Sequence, residues 1–251
     1  MASSKLSILA ETLIASEIVS LGATIKQKIN AGEKIFNYTI GDFDSTQFPI
    51  PLELKLAIID AYNNGFTTYP AADGELELRQ QVCRFMETHL GITYSTNEIL
   101  IGAGGRPLIY ATYRAIADKG DQVIYPVPSW NNNHYVHFTE GNHVLIEASP
   151  ENNFMPTADQ LKPHIKSASL IALCSPLNPT GTTFNKEELE AICDLIIEEN
   201  KTRGENEKKL YLMFDQIYWT LTFGSTTHYN PVSLRPDMKN SSILSDGISK
   251  I

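Results

Sequence analysis

Positive charge is scarce in this chain. Its 251 residues carry 20 Lys and Arg against 29 Asp and Glu, a formal net charge of -9 at pH 7. Affinity for phosphate backbones needs clustered Lys and Arg, so the composition argues against a broad nucleic-acid surface and leaves a small-molecule site as the default. Cysteine is sparse too. Cys83, Cys174 and Cys193 are an odd number without CxxC spacing, each within an apolar pattern, which reads as free thiols in a reducing compartment. Met1 to Ser20 mixes Ser and Glu with apolar residues, so no leader or spanning segment is expected there and a cytoplasmic location is. His134, His137 and His143 have no Cys or carboxylate at ligand spacing, so they predict a solvated helix face and a strand and no metal site. There is no internal repeat and no low-complexity tract, and the G-x-G-x-x-G fingerprint of nicotinamide-binding oxidoreductases is missing.

What is present is a regular alternation of helix and strand signals. Ile18, Leu21, Ile25 and Ile29 repeat at helical spacing behind Ser16 as N-cap, and Gly32 stops that helix. Phe36, Tyr38 and Ile40 alternate as a half-buried strand. Pro51 opens a helix that Gly65 closes, and Asp73 caps another that runs past Leu76 and Met86 to Gly91. Strands are predicted at residues 98–101, 122–125, 143–147, 170–174, 210–214 and 242–244, several followed by helices. The helix after Asn185 carries Glu188 at capping-box spacing, and 201–209 reads as a charged surface loop. Such alternation predicts an α/β architecture, a mainly parallel sheet flanked by helices.

Five chemistry-bearing segments each follow a predicted strand, where open α/β sheets bind ligands. Gly104, Gly105 and Arg106 lie between strand and helix, either a phosphate cradle of backbone amides or a tight turn. Trp130 follows the rigid stretch Pro126-Val127-Pro128-Ser129, as an indole aimed at a flat ring or as core. Asn178-Pro179-Thr180-Gly181 is a strand-to-helix loop, in which Asn-Pro and Gly favour turns anyway. Asp215 ends an apolar strand, where an uncompensated carboxylate is costly and calls for a cation. Lys250 closes Ser245-Asp246-Gly247-Ile248-Ser249-Lys250 after the last strand.

In this order the segments resemble the N-terminal two-thirds of a fold-type I aminotransferase of class I/II, aspartate aminotransferase-like, which uses pyridoxal 5'-phosphate. The resemblance implies cofactor-binding roles for Gly104, Gly105 and Arg106 at the phosphate, Trp130 on the pyridine ring, Asn178 and Tyr218 at the phenolic oxygen, and Asp215 on the ring nitrogen. It makes Lys250, Asp215 and Tyr218 the catalytic residues, Lys250 being the covalent attachment point and proton shuttle. Tyr69, in Thr68-Tyr69-Pro70, matches a Tyr that reaches the partner's cofactor across a dimer interface. Gly41 and Asn178 match substrate-binding positions, although Phe43 replaces the usual Pro after Gly41. Two further departures are Gln216, often Glu in the family, and Gly247, often a phosphate-binding Ser whose place Ser245 or Ser249 could take.

The implied fold is the fold-type I large domain over residues 49–251, incomplete at its C-terminus, with an N-terminal arm and the first part of a smaller α/β domain over 1–48. The implied reaction moves the amino group of an aspartate-like or aromatic L-amino acid to a 2-oxo acid such as 2-oxoglutarate, in a homodimer with shared sites and with neither nucleic acid nor membrane as partner. Relatives continue past the matching lysine, so the resemblance also implies a chain truncated after Lys250. A C-S β-lyase, an amino-acid synthase and a non-catalytic ligand sensor share the constellation.

Overall fold

The computed structural model describes residues 6–39, 41 and 43–250. They form two compact units, Ile14–Leu76 and a larger one made of Met1–Leu13 with Glu77–Ile251. In the larger unit α1 (Ile8–Glu11) is one turn whose Ser7 cap accepts the Ala10 N–H, and the Leu9 carbonyl lies 2.9 Å from His137 Nε2.

The smaller unit holds α2 (Glu17–Asn30) and α3 (Leu52–Asn63). Ser16 stands at the predicted N-cap of α2 without a side-chain capping bond. Gly32 and Gly65 end the two helices at φ of 91° and 78°, the left-handed conformation that glycine adopts without steric cost. Apolar side chains emerge all round α3, and Leu52, Leu54, Leu56, Ile58, Ile59 and Tyr62 are all exposed. The predicted strand at Phe36 and Tyr38 does not form, and its third member, Ile40, lies outside the described residues. Alternation alone does not make a strand: Phe36 and Tyr38 are exposed and have no ladder partner among the described residues.

Among the described residues six further α-helices and five strands follow, and the strands build one sheet. They are α4 (Leu76–Leu90), α5 (Gly105–Ile116), β1 (Gln122–Val127), α6 (Asn132–Thr139), β2 (Asn142–Glu147), α7 (Ala158–Leu161), β3 (Ala168–Cys174), α8 (Lys186–Thr202), β4 (Tyr211–Asp215), α9 (Pro231–Leu234) and β5 (Ser242–Ser245). The strands are ordered β2-β1-β3-β4-β5 and every pair is parallel. The strand predicted at 98–101 is missing: residues 96–98 form a 3-10 turn, and extended backbone follows at Ile99 with no neighbouring strand to pair it.

Both faces of the sheet are covered, which is why residues 170–174 of β3 read as an unbroken apolar run. On one face Ile124, Ile146, Ile171, Leu173, Leu212 and Phe214 pack against Leu189, Ile192, Cys193 and Ile196 of α8. On the other, Val123, Tyr125, Leu170, Ala172 and Met213 meet Ile109 and Tyr113 of α5 and Tyr135 and Val136 of α6. Alternate residues of each strand thus serve opposite faces, and each fully buried aliphatic side chain contributes about 1.5–3 kcal/mol.

Two local readings change in this context. The Asn185 side chain accepts the Glu188 N–H at 2.7 Å as predicted. The Glu188 carboxylate, however, leaves its own helix and accepts the Ala158 N–H at 3.1 Å, tying α7 to α8. Arg203, in the stretch predicted as a charged surface loop, is 9% exposed, pairs with Glu199 at 3.0 Å and donates to the carbonyls of Ile165, Ala168 and Lys208. Tertiary partners override the local signal at both positions.

Candidate active site

The sheet opens where its topology reverses. β1 pairs with β2 as far as Val127 and β3 with β4 as far as Cys174, but the β1–β3 register ends at Ile124 and Ile171. Beyond those residues the carboxyl ends of β1 and β3 separate, and such a switch point is where open α/β sheets hold ligands. Trp130, half-buried, follows β1, and Asn178, also half-buried, follows β3.

On the β3 side the groups come close together. Asp215 ends β4 opposite Cys174 on one neighbour and Ser245 on the other. Its carboxyl is pushed up to about 6, chiefly by burial, with the Asp246 charge adding to the rise and the Ile217 N–H, 3.1 Å from Oδ1, opposing it. Tyr218 OH accepts from Asn178 Nδ2 at 3.4 Å. Burial raises the Tyr218 hydroxyl pKa, the charges of Cys174 and Asp215 add to this, and the Asn178 bond works against it, so the phenol is neutral at pH 7. Lys250 Nζ lies 6.0 Å from the centroid of the Tyr218 ring. Cys174 is no nucleophile here: burial drives its thiol far above the ordinary range, and its Sγ faces the Pro176 carbonyl at 3.1 Å.

The N-terminus of α5 is bare. Gly104 caps it at φ 99°, Gly105 opens the helix, and a Cβ built on either meets nothing within 4 Å. A 12-residue helix presents unbonded N–H groups and a positive dipole end at such a point. Arg106 is exposed and close enough to influence the Tyr135 hydroxyl, which Asp215 also reaches electrostatically. Gly102 has a packing reason of its own, since a Cβ there would sit 2.7 Å from Leu108 Cδ2.

Gly247, where a serine was the family expectation, has Ile217 Cδ1 at 3.1 Å from a built Cβ. Ser245 is buried and Ser249 exposed. Tyr69 and Gly41 belong to the smaller unit, where both are exposed, and Asp42 beside Gly41 lies outside the described residues. The histidines have other partners: Tyr125 OH for His143 Nδ1 at 2.8 Å, and Leu9 O and Thr12 Oγ1 for His137.

Sequence reasoning missed Asp246. Its carboxylate accepts from Gln216 Nε2 at 2.8 Å and Trp219 Nε1 at 2.9 Å, and its charge reaches Asp215. Its place four residues before Lys250 was the only available signal.

The donor set suits a flat, cationic, phosphorylated ring. The desolvated Asp215 carboxylate accepts the Ile217 backbone N–H, and a ring N–H cation would supply it with a counter-charge. The bare end of α5 suits an anion.

Comparison with known proteins points the same way. A family model described as aminotransferase class I and II matches residues 33–251. An aspartate aminotransferase of Bacillus sp. (strain YM-2) is 29% identical over 242 residues, 96% of this chain and 59% of the relative. A probable aspartate/prephenate aminotransferase of Rickettsia felis is 32% identical over 222 residues, 88% of this chain and 52% of that protein. Among solved structures, the aspartate aminotransferase of Thermus thermophilus with maleate is similar with a TM-score of 0.87 at 27% identity, over 98% of this chain and 61% of its own. The chain therefore spans between half and three-fifths of the length of these relatives.

Proposed function

The chain belongs to the class I and II aminotransferase family, and from that premise we propose that it carries pyridoxal 5'-phosphate on Lys250 and transfers the amino group of an L-amino acid to a 2-oxo acid. Bound there, the cofactor supplies an electron sink for the charge left when a proton leaves the substrate Cα. The chain's own residues hold and orient it. Gly104, Gly105 and Arg106 take the phosphate, Trp130 covers the ring, and Asn178 and Tyr218 share its phenolic oxygen. Asp215 keeps the ring nitrogen protonated, and the Lys250 amine, once free, moves the proton at Cα. Asn178 and Gly41 meet the substrate. Aspartate or an aromatic amino acid is the donor and 2-oxoglutarate the acceptor, a choice supported by the names of the relatives.

The observation that carries this reading is Asp215, a half-buried, desolvated carboxylate pushed up to about 6 and lying close to Tyr218 and its Asn178 partner. A homodimer in which Tyr69 reaches the partner's phosphate is part of the proposal. Full exposure of Tyr69 and the all-round apolar surface of α3 support it. The domain division is read as an arm and small-domain portion over 1–48 and a cofactor domain from 49 onward. A cytoplasmic location is inferred from the three free thiols, and among the described residues no helix is long and apolar enough to cross a membrane.

Borohydride reduction of the cofactor-loaded protein, followed by peptide mapping, tests the site, and glutamate release from a panel of amino acids with 2-oxoglutarate tests the reaction. A mapped adduct on a lysine other than Lys250 refutes the assignment.

A further inference from the structure

Beneath the lysine's turn runs a chain of polar side chains, Asn230 and Gln216 buried and Asp246 half-buried, whose hydrogen bonds all point one way. It starts at the backbone N–H of Val232 on α9, which donates to Asn230 Oδ1 at 2.9 Å. The Asn230 amide must therefore present its NH2 at the other end, and Nδ2 donates to Gln216 Oε1. That leaves Gln216 Nε2 to donate to Asp246 Oδ2 at 2.8 Å. Trp219 Nε1 donates to the same oxygen at 2.9 Å, and the Gly247 backbone N–H donates to Asp246 Oδ1 at 2.7 Å.

Each side-chain type follows from its place. Gln216 is fully buried between a donor and an acceptor, so it needs an acceptor at one end and a donor at the other, which an amide has and a carboxylate lacks. Asp246 receives three N–H groups, which an ionised carboxylate accepts and an amide cannot, since its NH2 would face one of them. Backbone bonds run alongside: the Gln216 N–H donates to the Ser245 carbonyl at 2.9 Å, and the Thr220 hydroxyl to the Lys250 carbonyl at 3.3 Å. The relay thus grips the residue just after Asp215 and the residue that opens the turn of Lys250.

We propose that Asp246 is a positioning residue for Lys250, an acceptor-only carboxylate matched to the Gln216 amide that fixes the lysine's turn against the end of β4. The inference rests on the reading of Lys250 as the cofactor's attachment point, and it goes beyond that reading in naming what holds the lysine in place. Trp219, wedged among Phe85, His89 and His228, supplies the rigid second donor.

The test is the sign of one substitution in two backgrounds, read as the fraction of Lys250 carrying reduced cofactor at a fixed cofactor concentration, with melting temperature measured alongside. Asp246→Asn in the parent leaves one half-buried N–H facing another and should weaken attachment about tenfold, the cost of one unpaired donor held away from water. Gln216→Glu sets two carboxylate oxygens against each other and should weaken it more. Adding Asp246→Asn to Gln216→Glu lets the new amide donate to the new carboxylate and keep the Gly247 N–H on its oxygen, losing only the Trp219 bond, so the same substitution should now strengthen attachment. An Asp246→Asn effect of the same sign in both backgrounds, or none in either, overturns the proposal. If Gln216→Glu does not fold, Gln216→Met together with Trp219→Phe replaces it: with both donors to Oδ2 gone, the amide can turn its oxygen to the Gly247 N–H and its NH2 away from any donor, so Asp246→Asn should cost less there than in the parent, and an equal cost overturns the proposal. A parent with no adduct on Lys250 instead refutes the cofactor assignment, so the two failures are told apart.

Discussion

Replacing Asp215 by Asn should make the cofactor-free protein more stable, and only above a definite pH. The Asp215 carboxyl is raised from 3.8 to about 6, chiefly by burial. Below pH 3.8 it is neutral in both folded and unfolded chains and costs nothing. Between 3.8 and about 6 the unfolded chain ionises while the folded one holds its proton, so the parent loses stability as pH rises. Above about 6 the folded carboxylate is charged and the loss is complete, ~3 kcal/mol at 1.36 kcal/mol per pH unit. Asn is neutral throughout, and its oxygen can still accept the Ile217 N–H. Urea unfolding of the cofactor-free parent and the variant from pH 4.5 to 8 should therefore show a gap in favour of Asn that widens to about pH 6 and then levels. Saturating cofactor should reverse the order, because a ring N–H cation pairs with the carboxylate and has nothing to pair with in the amide. Transamination should fall severely in the variant, since a neutral amide cannot keep the ring nitrogen protonated. A gap independent of pH would mean that Asp215 is not a desolvated carboxylate, and the electron-sink argument would lose its physical basis.

Lys250→Ala should abolish borohydride-trapped cofactor while leaving the melting temperature nearly unchanged; a trapped adduct in this variant would count against the site. Mixing it with an inactive Tyr69 variant should restore some activity if Tyr69 acts across the dimer, and activity from a strictly monomeric protein would contradict that arrangement. Gly102→Ala should destabilise by about 1–3 kcal/mol through the clash of its Cβ with Leu108, seen as a lower urea midpoint at unchanged slope. Arg203→Met should cost about 3–5 kcal/mol by leaving Glu199 buried without its partner, and a loss below 1 kcal/mol would show the pair to be dispensable.

Much of this fold was legible because its signals are local. The strands that became β1 to β5 were readable as apolar runs, and the stops at Gly32, Gly65 and Gly91 coincide with positive φ. The failures share one physical cause. Phe36, Tyr38 and residues 98–101 carry strand-like sequence, but a strand exists only by pairing, and the partner is set by distant chain. Glu188 has capping-box spacing, yet the Ala158 N–H competes for its carboxylate, and no spacing rule contains that donor. At the site, Asp215, Asn178, Tyr218 and Lys250 were findable because each ends or follows a strand of one parallel sheet. Asp246 was not, because its meaning lies in Gln216 and Trp219, 30 and 27 residues away. Why it is an Asp is visible only once three N–H groups are seen to converge on it.

The same pH window contains a second, opposing group, which decides how the Asp215 experiment must be read. His228 packs between Phe214 and Trp219 at ring distances of 6.2 and 6.0 Å, and neither ring nitrogen has a hydrogen-bond partner among the described residues. Burial pushes its pKa down from 6.5 to about 4. Its titration therefore adds no cost above pH 6.5, while between 6.5 and about 4 the unfolded chain gains a proton that the folded one refuses. Stability is lost as pH falls, by ~3 kcal/mol at the bottom of the window. Asp215 loses a similar amount as pH rises through nearly the same range, so in the parent the two slopes cancel and its stability curve conceals both. They separate only in variants. His228→Phe keeps a ring between Phe214 and Trp219 and removes the titration, so its advantage over the parent should grow as pH falls from 6.5 to 4. The Asp215→Asn advantage should grow in the opposite direction, and the double variant should recover a flat curve at a higher level. A His228→Phe advantage that stays constant across this range would show that the imidazole is not buried in its neutral form, and the cancellation would not exist.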